Sequence, residues 1–231
     1  MILPLGSDDM DQTSLEDPTY HAAVVDLLGV LAYGELTAFI RMAVDSDAAP
    51  TLALKSALAG LANTEYVQYS LLVDHMTSHG IDAEAAMAPF VVPFAAYHAR
   101  TKPKGWVEGL VKAYVGDGIA KDFYREMSVF VDDDTREVMA RALDDAGEAD
   151  FVVGVVRDAL KTDRTAGGRL ALWGRRLLGE ALSQAQAVAV ERDAMSALLV
   201  GGGADLGEVG RMFTRLTDNH QARMARLGLA A

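Results

Sequence analysis

Four acidic residues stand at matched distances from two turn signals, and chemistry is best sought there. Glu35 lies thirteen residues before Ala48, and Glu65 lies fifteen residues after Pro50. Asp117 lies fifteen residues before Asp132, and Glu148 fourteen after Asp134. At about 1.5 Å of rise per residue, each acid sits roughly 20–22 Å from its turn, near the middle of helices about 42 Å long. Two helical hairpins would bring all four carboxylates to one level. Buried carboxylates are costly unless protons, basic side chains or metal ions compensate them. A dinuclear metal centre in a helix bundle uses one Glu from each of two helices and Glu-x-x-His from each of the other two. Here the corresponding spacings read Glu65-x-x-Gln68 and Glu148-x-x-Phe151. The carboxylates are present and the imidazoles are missing. The candidate metal ligands are Glu35, Glu65, Gln68, Asp117 and Glu148. The ion expected is iron or manganese, with an empty, degenerate site as the alternative.

The elements that must position these residues are helices. Val24, Leu27, Leu28, Leu31, Phe39 and Ile40 recur in steps of three and four, as do Leu54, Leu58, Leu61, Leu72 and Met76. The periodicity predicts long helices over 19–46, 51–79, 104–131 and 133–161 around one core, with further helices over about 168–200 and 205–227. Asp17-Pro18 is a helix start, and Gly80 suits the residue after a helix end. Pro89, Pro93 and Pro103 interrupt residues 81–103, yet Met87, Phe90, Phe94 and Tyr97 require that crossover to pack. No alternating β-branched run competes, so the fold class expected is all-α. Residues 1–17 read as a flexible acidic tail and 18–231 as a single domain.

The remaining features exclude more than they assign. The chain has no cysteine, which removes thiolate metal sites, disulfides and cysteine nucleophiles. A net charge of −12 disfavours nucleic acid and anionic membranes as partners. No apolar run reaches the ~18 residues that span a bilayer, and the acidic N-terminus is unlike a signal peptide. A cytoplasmic protein is expected, with an unidentified small molecule as partner and room for a homodimer. His75 and His79, one helical turn apart, could chelate a metal but read as solvated residues at a helix end. His98 reads as structural. Arg176, Glu180 and Gln184 share one face that could reach the acids, and Asp122 and Asp150 are further acids that could join them. Arg211, Arg215, Arg223 and Arg226 read as a solvated face or a clamp on an acidic body. Gly201-Gly202-Gly203 lacks the Lys-Ser/Thr ending of a phosphate loop and reads as a hinge.

Several stretches resemble a known family. They are Ala32-Tyr-Gly-Glu-Leu-Thr-Ala-Phe39, Met87-Ala-Pro-Phe90, Val111-Lys-Ala-Tyr-Val-Gly-Asp-Gly118, Asp122-Phe-Tyr-Arg-Glu126 and Leu172-Trp-Gly-Arg-Arg-Leu-Leu-Gly-Glu-Ala-Leu182. Together with two hairpins joined by a crossover, they look like the ferritin-like superfamily. Within it they look like a bacterial ferritin-like family related to the tRNA methylthio-isopentenyl-adenosine hydroxylase. The resemblance spans roughly residues 18–200. It implies a ferritin-like four-helix bundle with additional C-terminal helices, and di-iron oxidase or hydroxylase chemistry at the acids. Gln68 stands where that family favours His. The alternative is a metal-free helical binding or assembly module that has lost the catalytic centre. Whether the protein is an enzyme, and which residues would be catalytic, the sequence leaves open.

Overall fold

The computed structural model describes residues 17–144, 147–163, 165–194 and 206–230. The expected tail, Asp17 apart, and the triple-glycine hinge lie outside them. Every regular element among the described residues is helical. α1 (Pro18–Asp47) starts as the sequence predicts, with the Asp17 carboxylate accepting from the Thr19 N–H at 2.8 Å. α2 (Leu52–Ser78) is capped by Thr51. It ends where Gly80 takes φ +72°, and the Ile81 N–H bonds back to the Met76 carbonyl. The crossover is itself helical: α3 (Ala83–Met87), a short 3₁₀ turn with Pro89 in its first turn, and α4 (Val91–Arg100). α5 (Trp106–Met127) follows.

The fourth long helix departs from expectation. It is two helices, α6 (Asp133–Ala142) and α7 (Glu148–Thr162), with Gly147 at φ +94° between them. An L-residue resists that conformation, so glycine allows the chain to turn out of one helix and restart in the next. The later helices are α8 (Ala166–Glu191) and α9 (Leu206–Leu227), packed on α5. α1 is long and apolar enough, by length and composition alone, to cross a membrane, against the expectation that no segment qualifies. Its apolar surface is accounted for inside the bundle, where more than half of it is buried.

Instead of one core there are two apolar clusters, stacked along the same helices. One holds α1 up to Tyr33, α2 from Tyr69 onward, the crossover from Ala83 to Phe94, α5 from Ala120 onward, α6 and Val188 near the end of α8. The other takes α1 from Phe39, α2 up to Ala62, α5 up to Ile119, then α7, α8 and α9. The described residues left between them are 34–38 on α1, 63–68 on α2, and Asp144 and Gly147 at the break. Glu35, Glu65, Gln68 and Asp144 all belong to that interval.

Candidate functional site

The interval between the clusters is a polar layer. Glu35 on α1 and Glu65 on α2 are 5% and 1% exposed, and Gln68 is buried beside them on α2. Both glutamates are engaged by other groups. On α5, Asp117 is half-buried and pairs with the Lys121 ammonium at 3.0 Å, one helical turn on. Lys121 is itself only 5% exposed. Asp117, Lys121 and Tyr124 lie on one stripe of α5. Tyr124 stands close enough to Glu35 that the carboxylate, after burial, pushes its phenol upward. The lysine is thus carried to the level of the glutamates. α1 and α5 run antiparallel there. Gly109 faces the Asp45 carboxylate, and Gly34 faces Tyr124 and Phe94.

A second cation closes the layer from outside. Arg223 of α9 lies against Gly118, where an added Cβ would come within 2.3 Å of its Nε. It pairs with Asp122. Burial lowers the pKa of its guanidinium, while Tyr114 and Asp117 work the other way. Glycine at 118 is what lets the guanidinium approach.

The other expected ligands fall out differently. The Gln68 amide N–H donates to the Asp144 carbonyl at 2.8 Å, an acceptor freed by the helix break. Its Oε1 is buried with no hydrogen-bond partner among the described residues. Glu148 is the first residue of α7, not a mid-helix residue, so the count along an unbroken helix 133–161 does not hold. Its side chain lies outside the described set. Phe151 packs in the second apolar cluster. Asp150 is exposed and pairs with Arg226 at 2.7 Å, and Glu180 pairs with Arg100 at 3.7 Å. Arg176 donates to the Arg100 carbonyl, so this α8 face meets the end of α4. Arg215 clamps Glu126 and Glu208, and Arg211 also binds Glu208. The last helix is therefore tied to acids of this chain.

Two clusters escape the spacing argument. At the far end of α4, Lys112 donates to the Thr101 carbonyl at 2.8 Å and lies 5.3 Å from the centre of the Tyr97 ring. Burial, then Arg41, lowers its pKa to about 8. Burial, with Lys112 and Arg41 nearby, lowers His98 to about 4, and neither ring nitrogen has a hydrogen-bond partner among the described residues. The second cluster joins His75 and His79 to Asp134 at the start of α6, with ligand-capable atoms all within 4.8 Å of one another. The histidine spacing is visible in the sequence. Asp134 reaches it only because α6 packs on the end of α2. A recess of ≈ 330 Å³ lined by His21, Asp26, Ile81 and Arg192 is separate from the acids.

Residues 18–202 match the family model described as a ferritin-like domain of actinomycetes. No curated protein matches the chain.

Proposed function

The chain belongs to the ferritin-like domain family of actinomycetes, and from that premise we propose that its central acids are a degenerate dinuclear site closed by the protein's own lysine. On this reading the protein is a helical binding module, not an oxygen-activating oxidase or hydroxylase. One observation supports it above all: the Lys121 ammonium is buried on α5 near the level of the glutamates and pairs with Asp117 at 3.0 Å. A buried carboxylate demands positive charge, and a covalently attached ammonium supplies it where iron or manganese would otherwise sit. The ligand types agree. Gln68 offers an amide in place of imidazole, Phe151 offers no donor, and oxygen-activating iron sites favour nitrogen ligands with open positions. No reaction step is assigned to a metal at this layer.

The buried Gln68 Oε1, with no hydrogen-bond partner, favours the rival reading of a weak hard-cation site for manganese. An unidentified small-molecule partner, a cytoplasmic location and one domain over 18–231 belong to the same proposal. The test is anaerobic loading with Fe(II) or Mn(II), desalting, metal analysis and oxygen uptake. Wild type should retain less than one ion per chain and consume no oxygen above buffer. Two tightly held irons with oxygen uptake would overturn the reading, and one retained manganese would favour the rival.

A further inference from the structure

We propose that His75, His79 and Asp134 form a surface site for one borderline divalent cation of the zinc class. The inference does not depend on the reading of the acid layer. The two imidazoles lie one turn apart at the end of α2, with ring centres 4.4 Å from each other. Asp134 comes from the first turn of α6. Its neighbours have other tasks: Asp132 caps the helix through the Thr135 N–H, and Asp133 pairs with Arg136. Among the described residues, the charged partners of Asp134 are the two histidines.

The hydrogen bonds set the donor atoms. His79 Nδ1 lies 2.9 Å from the His75 carbonyl oxygen. A carbonyl only accepts, so Nδ1 carries the hydrogen and a neutral His79 presents its lone pair at Nε2. Metal-binding histidines are commonly held this way, through the other ring nitrogen. His79 Nε2 is 3.1 Å from Asp134 Oδ2. Two ligands on a tetrahedral ion with bonds of about 2.0–2.1 Å stand roughly 3.3 Å apart, so this pair already spans one edge. His75 Nδ1 lies 4.0 Å from the same oxygen.

Two nitrogens and one carboxylate select zinc, cobalt or nickel over magnesium or calcium. Three protein ligands leave a fourth position for water. With Asp134 66% and His79 49% exposed at their side chains, the ion would exchange freely with solvent. Bound there, it would join the end of α2 to the start of α6. The competing arrangement is a plain ion pair between protonated His79 and Asp134.

The test uses the full chain without an affinity tag, stripped with chelator and titrated with Co²⁺ at pH 7.5. Visible d–d bands should saturate at one ion per chain and vanish on addition of Zn²⁺. His79→Ala should weaken binding at least about 100-fold and Asp134→Asn at least about 10-fold, since even the loss of an outer-shell partner costs roughly 10–100-fold. Absence of cobalt bands in wild type would overturn the site and leave the plain ion pair. So would wild-type affinity in His79→Ala. Binding lost in Asp117→Asn but kept in His79→Ala would move the ion to the acid layer, against this site and separately against a metal-free layer.

Discussion

Two acid-bearing regions of this bundle make opposite use of the same functional group. In the central layer Glu35 and Glu65 are buried, the buried Lys121 ammonium pairs with the half-buried Asp117, and Arg223 lies at the edge. At the α2–α6 corner, one carboxylate faces two imidazoles in reach of water. A buried acid is stabilised by whatever positive charge is always present, and a tethered ammonium always is. An exposed acid needs no such charge, because water solvates it. Helix position alone does not make a metal site: the lone pairs must be left unspent, which is what the proposed corner site requires of His79 Nε2 and Asp134.

The largest expected effect comes from removing the internal cation. Lys121→Met should destabilise the fold by about 3–5 kcal/mol, the cost of breaking a buried pair from one side. Urea unfolding at pH 7 measures it. Adding Asp117→Asn to that variant should recover a substantial part. A loss below about 1 kcal/mol would make Lys121 a bystander of the surface-pair kind.

A pH series separates buried imidazoles from the corner. His98 has its folded-state pKa lowered to about 4 by burial, and burial also lowers His220. Above the unfolded-state value of about 6.5 both states are neutral and no penalty applies. As pH falls below it, the unfolded chain takes the proton first, so stability is lost progressively toward pH 4. With allowance for partial exposure, His98 should contribute about 2 kcal/mol of that loss. His98→Phe should flatten this limb in unfolding midpoints taken between pH 7 and pH 4.5, and an unchanged slope would place the sensitivity elsewhere.

Gly118→Ala tests the outer cation. The new methyl would collide with Arg223 Nε and Cδ, and displacing that side chain should cost about 1–2 kcal/mol, as overpacking does. Thermal melts of Gly118→Ala and Arg223→Lys should fall together if the glycine exists for the arginine. The smallest effect belongs to the corner. Without metal, His79→Ala should change unfolding free energy by less than about 1 kcal/mol, as for an exposed ion pair. A larger loss in chelator would mean the triad is a structural staple.

Much of the scaffold is legible in the sequence, because its signals are local. Asp17-Pro18 opens α1, Thr51 opens α2, Gly80 closes it, and Asp132 caps α6. The break before α7 is not legible by the same means. Asp144 to Gly147 contains no proline, and a lone glycine inside a helical window is ordinarily tolerated. What the break provides is tertiary, an open Asp144 carbonyl for Gln68. At the acid layer, counting from the turns finds Glu35 and Glu65 as buried neighbours of one interval. It overlooks Lys121, although that residue stands at the i, i+4 spacing from Asp117. The count weighed only side chains able to bind a cation and passed over the one that already is a cation. Asp134 is hidden for another reason. Its partners lie on a different helix, and only packing brings them together.

The broken fourth helix also divides the packing of the molecule. α6 ends in one apolar cluster and α7 begins in the other, so neither spans the polar interval as α1, α2 and α5 do. Cooperative opening follows packed units, not the length of the chain. The expected outcome in native-state hydrogen exchange is that the amides of α6 form one group and those of α7 another. The ferritin-like bundle thus carries two apolar clusters threaded on the helices they share, α1, α2, α5 and α8.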